Sequence, residues 1–516
     1  MSKTFVSVTF LKAKIGYFLC IKPMLKRLAI HAWPLLVLVF YVSTLAPTVL
    51  WGDDAFFQRS AFDGTLPRDG GGHWLWFVFA QAIIRIPFSE VAYKVNLLSA
   101  LAGFATIVGL YWSAKIAGLS QSASLIVASC IAVAHTFWMH SVRAEVYTVF
   151  TMCSMLEIAL LFNWMTKKSL WALFTALLLF GLTLLSHQMS VLLLPAIGYS
   201  IWLGRHELSR AYRFLALASF LLGLLPALAV VHIQIGQSSP TQSFILYFTH
   251  SGIDFRGALF DFSFRELPHD IIIWLSYLIL QFPSPAIFLG LYGIATVHEW
   301  IYQNHWKFVV VVYLTGVVFA FSYRVNDQYV FYLPSYIAFA FVAGIGWDTA
   351  ARRFPLLKQC FISRLVWGLV VVLPPLIYFG LVSAFTRLDI NPLQIRTLPG
   401  REPNSFFLWP AKNDYWGAYN YGSALLTSLP PKSVLIADHT PFQTLKYLQV
   451  VHKLGLDIEL VPIEPRDELM DVIQSFPLTV PIFVADNDPR YYNLDSLAGT
   501  RLVKQGHAYR VIRMSG

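Results

Sequence analysis

Two adjacent acids, Asp53 and Asp54, stand directly after the first long apolar run of the chain, in WGDDAFFQRS. His73 occupies the same interval, in RDGGGHWLW, and His140, Arg143 and Glu145 crowd into FWMHSVRAEVY between two later runs. His187 and Gln188 interrupt LLSHQMS, and Arg324, Asn326, Asp327 and Gln328 separate two more runs. A carboxylate at a membrane surface can take the proton of a hydroxyl as general base. An arginine can clamp a phosphate with two parallel hydrogen bonds and neutralise charge that develops on it. Together these residue types suit transfer of a group from a lipid phosphate to a hydroxyl acceptor. Asp53, Asp54 and Glu145 are the candidate catalytic acids. Arg143, His73, His187, His140 and Arg324 are the candidates for holding the donor phosphate or substrate. Attack and departure in line at a sugar carbon would invert its configuration.

Each residue also has a structural reading. Asp53 and Asp54 could cap the following helix. Arg143 could pair with Glu145, and Arg324 with Asp327 could form a loop salt bridge. His187 could be the polar residue that any short turn carries, and His73 an ordinary interfacial side chain. What joins the set is placement. Ionisable groups in or beside membrane spans are costly and point to function by default.

The elements that must position them are membrane helices. Of 516 residues, 57% are hydrophobic and 13% charged, against about a quarter charged in soluble domains. The apolar residues are bunched into runs of roughly 17 to 25, enough to span a bilayer as a helix. Such runs must be helical, because lipid leaves open backbone groups unsatisfied. Eleven spans are expected, near 30–50, 95–117, 122–138, 146–164, 169–186, 189–204, 214–232, 284–300, 307–322, 330–347 and 365–385. The shorter apolar stretch 271–282 reads as an interfacial or re-entrant helix.

Lys and Arg set the orientation. With a cytoplasmic N-terminal segment (1–27), 17 of them fall in inside segments and 8 in the longer outside loops before residue 386. The polar clusters then share the outer face of a cytoplasmic membrane, and an odd number of spans puts 386–516 outside as well. The net charge of +10 is absorbed by this topology, and no nucleic-acid-binding motif accompanies it. Met24, followed by Leu-Lys-Arg and the first clean span, reads as the natural start. No cleavable signal peptide is evident. Four scattered cysteines suggest neither a disulfide framework nor a zinc site.

Beyond the membrane region (28–385), residues 386–516 change character. VLIADH (434–439), IELVPI (458–463) and VPIFVAD (480–486) alternate with helical stretches at 441–454 and 465–475. Short β-branched runs alternating with helices predict βαβ units and a small parallel sheet. No glycine-rich phosphate loop follows the first strand. The expected architecture is therefore a polytopic α-helical membrane protein of about 11 spans with a small C-terminal α/β domain.

Four stretches resemble a known group, the GT-C class of integral membrane glycosyltransferases. The likeness is to bacterial multispanning proteins related to the eukaryotic transmembrane O-mannosyltransferases. The stretches are LAPTVLWGDDAFFQ (45–58), VAYKVNLLSALAGFATIVGLY (91–111), FWMHSVRAEVYTVF (137–150) and GLTLLSHQMSVLLLP (181–195). The resemblance implies a polyprenyl-phosphate-linked sugar donor, Asp53 as general base, Glu145 as the acid of an E-V-Y pattern and His187 as the histidine after G-L. Arg143 has no family counterpart. The family's Glu after the first acid aligns with Phe56, and Asp54 is an extra acid. The family's H-P-P-G aligns with residues 69–72, so only Gly72 and His73 recur there. A G-D-N-D-like turn becomes Ala437-Asp438-His439-Thr440.

The expected activity is therefore glycosyl transfer to a protein, lipid-linked glycan or envelope polymer. No cofactor is expected; a divalent ion on Asp53, Asp54 and Glu145 is the alternative, without supporting ligand spacing. Two other classes compete. A transporter or lipid flippase would need polar groups near mid-bilayer and matching broken helices, but the polar groups lie at span ends and no repeat is evident. A non-catalytic assembly protein would explain Phe56 and the lost H-P-P as decay of a site.

Overall fold

A computed structural model describes residues 33–68, 71–249, 261, 263–325, 327–391, 395–465, 467–497 and 499–513. The expectations for the N-terminal segment, including Met24 as the start, lie outside the described residues, as does Asn326. Among the described residues helix follows helix between Trp33 and Arg387, and each expected span overlaps one or two of them. Five are long and apolar enough to cross a bilayer alone: Val91–Ile116, Tyr147–Lys167, Arg210–Ile235, Asn304–Phe321 and Cys360–Arg387. Shorter apolar helices pack among them, including Trp33–Ser43, Leu170–Ser186, Leu267–Gln281 and Pro285–Ala295. Trp74–Ile84, read from the sequence as part of an outer loop, is also an apolar helix.

The expected span 122–138 is not one straight helix. Gln121–Ala132 and His135–Ser141 meet at a bend of 67°. No proline forces it. The break frees backbone carbonyls and amides, which lipid could not satisfy, so side chains take them up. Tyr41 OH donates to Ala132 O at 3.1 Å and Tyr378 OH to Val133 O at 3.3 Å. Gln281 Oε1 accepts from the Thr136 N–H at 2.8 Å, supplying the new helix with a cap. The bend turns His135–Ser141 aside and brings His140 beside Glu145.

Between the helix Trp33–Ser43 and Asp53 the chain has no regular secondary structure and is held by a buried polar network. Asn96 Nδ2 donates to Ala46 O at 3.0 Å and to Thr48 O at 3.3 Å, and its Oδ1 accepts from Gln58 Nε2 at 2.8 Å. Paired in this way, the buried amides fix the entry into the helix Asp53–Asp63.

The C-terminal region carries a five-stranded sheet of order β2-β1-β3-β5-β4, with β1 Val434–Asp438, β2 Glu459–Ile463, β3 Ile482–Val484, β4 Thr500–Gln505 and β5 Ala508–Arg513. Central β1 is buried along its length and pairs in parallel with β2 and β3, as the alternating pattern predicts. The β4–β5 hairpin adds two antiparallel strands that the parallel-sheet expectation lacks. Its turn is the Gly506-His507 pair between Gln505 and Ala508, a sequence signal available for a hairpin.

This domain is fastened to the segments around Trp51 and Ala92. Its helix His439–His452 packs on Asp53–Asp63, and Val49, Trp51, Ala55 and Ala92 join its core. Thr444 Oγ1 donates to Leu50 O at 2.9 Å, the Ala92 N–H donates to Tyr447 OH at 3.0 Å, and Trp51 Nε1 donates to Tyr415 OH at 2.6 Å.

Candidate active site

The loops that carry the polar clusters and the C-terminal domain border a cavity of about 2230 Å³. It is lined by Asp53, Asp54, His73, His140, Arg143, Glu145 and His187, which the sequence placed on one face. Asp327 joins them. One wall is apolar, with Val191, Leu192, Leu314, Val317 and Val318. The C-terminal domain and the arm that leads to it also line the cavity, with Arg396, Arg401, His439, Arg490 and Tyr491.

Asp53 and Asp54 open a helix whose N-cap is Gly52, at φ 58° and ψ −125°. That region favours glycine. The two acids thus sit in the first helical turn, where negative charge is favoured by the helix dipole. The N-cap position itself is held by glycine and by neither acid.

The two carboxylates differ. Asp54 is buried, and its Oδ1 lies 3.2 Å from Arg143 Nε. Arg143 reaches on to Glu145, with Nη2 2.8 Å from Oε1. Burial pushes both carboxyls above the usual carboxylate range; the Arg143 charge opposes this, and the neighbouring acids add to it. Asp53 instead faces the cavity with 66% of its side chain exposed. Its Oδ1 meets His439 Nε2 at 2.9 Å. Burial pulls the His439 pKa down, but the hydrogen bond and charge of Asp53 outweigh that and leave it raised.

Glu145 is set by its backbone. Its N–H donates to Ser99 Oγ at 3.2 Å, tying the loop to the helix Val91–Ile116. His140, brought over by the bend, is buried with Nδ1 3.7 Å from Glu145 Oε1. His73 and His187 stack, with ring centroids 4.7 Å apart and planes at 16°. His187 Nδ1 also accepts from the Met189 N–H at 3.1 Å. His187 therefore combines the expected turn role with a place on the cavity wall.

The loop before His73 is pinned from a distant helix. Gln234 Nε2 donates to Gly72 O at 2.9 Å and to Pro67 O at 3.1 Å. A Cβ on Gly72 would lie 1.7 Å from Gln234 Nε2 and 2.6 Å from Pro67 O, so only glycine fits that approach.

Arg324 corrects the sequence expectation. It pairs with Glu266 and, at 2.8 Å, with Asp270 on the helix Leu267–Gln281, and it does not line the cavity. A charge pair formed across loops distant in sequence takes it out of the set, and Asp327 is not its partner. For a metal ion, Asp53, Asp54 and Glu145 are poorly arranged: Arg143 lies between the last two. Among the described residues no group of three His, Cys, Asp or Glu is placed to hold one.

Sequence reasoning missed the contributions of the C-terminal arm and domain. His439 was seen only as a departure from a motif, and Arg396, Arg401 and Arg490 carried no local signal. Arg396 is buried and bonds Asp438 through Nη1 and Nη2, with Nε 3.5 Å from Asp486. Lys412 is buried, with Nζ donating to Trp409 O and, at 3.3 Å, to Pro410 O. Burial pulls its pKa down to about 7, and the Arg143 charge adds to that.

Residues 71–210 match the model of the family described as the protein O-mannosyl-transferase TMEM260 N-terminal domain. That stretch includes His73, His140, Arg143, Glu145 and His187 but neither Asp53 nor the C-terminal domain. Among solved structures, ArnT from Cupriavidus metallidurans bound to undecaprenyl phosphate aligns over 94% of this chain and 97% of its own, with 14% identity and a TM-score of 0.54. The Archaeoglobus fulgidus oligosaccharyltransferase in complex with Zn and sulfate aligns over 88% of this chain and 67% of its own, with 10% identity and a TM-score of 0.50. No curated protein sequence matches the chain. The resemblance seen in the sequence is thus borne out: the chain has the GT-C fold of membrane glycosyltransferases, with an O-mannosyltransferase-like N-terminal region.

Proposed function

We propose that this protein transfers a sugar from a polyprenyl-phosphate-linked donor to a hydroxyl acceptor, with inversion, at the extracytoplasmic face of a cytoplasmic membrane. The observation that carries the reading is the contrast between Asp53 and Asp54. Asp54 is buried against Arg143, whereas Asp53 presents its carboxylate to a cavity lined by both apolar and cationic side chains. The apolar wall suits the first isoprene units of a lipid. An acidic group facing the open space suits a base that must meet an incoming hydroxyl.

In this mechanism the acceptor hydroxyl gives its proton to Asp53 as its oxygen bonds the anomeric carbon. The bond from that carbon to the phosphate oxygen breaks, and the electron pair leaves with polyprenyl phosphate. Fixed cations at the cavity stabilise the departing charge. The Asp54–Arg143–Glu145 triad keeps the floor of the site rigid. A family likeness to O-mannosyltransferases and an ArnT neighbour bound to undecaprenyl phosphate support the donor class. Comparison of glycans in a deletion strain, and in the same strain expressing the natural chain or Asp53→Asn, tests the reading. A glycan that is lost on deletion and restored only by the natural chain is expected.

A further inference from the structure

The cations of the cavity are not equivalent. Arg143 is shared by Asp54 and Glu145, Arg396 holds Asp438 and Asp486, and Arg490 holds Asp488. Arg401 differs. It lines the same cavity, yet its guanidinium has no ion pair or hydrogen bond among the described residues, and its Nε is buried without a partner. The side chain is nonetheless held in place. It lies over the Phe406 ring at 4.8 Å from the centroid. Its backbone exchanges two hydrogen bonds with Leu398, at 2.8 and 3.3 Å. Burial pulls its pKa down, and the charges of Arg396 and Arg143 add to this.

A guanidinium stays charged in a protein. A half-buried charge beside other cations is costly unless an anion meets it. The fold has spent two backbone hydrogen bonds and an aromatic platform on holding this one open to the cavity. We infer that Arg401 is a phosphate-binding residue, which takes oxygens of a substrate phosphate from the C-terminal side of the cavity. Arg143, committed to two carboxylates, is then a positioning residue and not the phosphate clamp that the sequence suggested. The inference rests on the donor class proposed above. The same oxygen chemistry could come from a lipid-linked donor or from a phosphorylated acceptor.

The full chain in nanodiscs is titrated with undecaprenyl phosphate, with undecaprenol and with inorganic phosphate, as the natural chain, Arg401→Gln and Arg401→Lys. The natural chain is expected to prefer undecaprenyl phosphate to undecaprenol. Arg401→Gln should lose about tenfold in affinity for the phosphate lipid and keep its affinity for undecaprenol. Arg401→Lys should fall between, because it keeps charge but not the planar fork; it also carries the test if the Gln variant does not fold. Binding of inorganic phosphate that depends on Arg401, without a lipid preference, would support the site and place its phosphate on the acceptor. A folded Arg401→Gln with an undiminished preference for undecaprenyl phosphate overturns the inference and leaves the donor reading standing. A natural chain without preference for either phosphate probe overturns both.

Discussion

His439 Nε2 lies 2.9 Å from Asp53 Oδ1, joining residues 386 positions apart. The contact sets the first residue of the helix His439–His452 against the acid that opens the helix Asp53–Asp63. It gives the proposed base a pH dependence. Below the raised His439 pKa the imidazolium holds the Asp53 charge and lowers its basicity; above it Asp53 is released as a base. Transfer should therefore rise as pH climbs through a value above that of an ordinary imidazole. His439→Gln should move this acid limb of the pH–rate profile to lower pH. An unmoved limb would remove His439 from the account. The pair's contribution to stability has the opposite sign: it is complete below the unfolded imidazole value and is lost as pH rises through the raised one.

Arg143→Ala leaves Asp54 and Glu145 buried without a counter-charge. Removing one partner of a buried ion pair costs about 3–5 kcal/mol. Thermal unfolding of the detergent-solubilised protein should register a loss of this order, together with a fall in activity. Normal stability with weakened donor affinity would return Arg143 to the role of phosphate clamp.

Arg324→Ala tests the opposite case. Arg324 binds Glu266 and Asp270 away from the cavity, so donor and acceptor kinetics should stay near natural values. A large rise in donor KM would put it back in the site.

Much of the architecture was legible because bilayer physics is local. Apolar run length marked the helices, and the polar breaks at Asp53, His73, Arg143 and His187 do converge on one cavity. What stayed hidden depends on partners far off in sequence. The bend after Ala132 is supported by Tyr41, Tyr378 and Gln281, none of them near it in the chain. Arg401 and His439 reach the site only because the C-terminal domain docks on the Asp53 helix. The β4–β5 hairpin is another matter: Gly506-His507 between alternating strands was a readable signal.

Gly72→Ala places a methyl group against Gln234 and Pro67 O. The loop must shift, and His73 with it, so its stack on His187 should be disturbed. Activity should fall well before stability does, and Gln234→Ala, which opens the space, should restore part of it in the double variant. Equal activity of Gly72→Ala and the natural chain would show that the loop's position does not matter.

Asp53 carries the central claim. With a purified polyprenyl-phosphate sugar donor and the acceptor identified from the deletion strain, single-turnover transfer should be abolished by Asp53→Asn, while Asp54→Asn keeps measurable chemistry after any loss of stability is allowed for. Folding and donor binding of Asp53→Asn should match the natural chain. Natural single-turnover rates in Asp53→Asn would contradict the account.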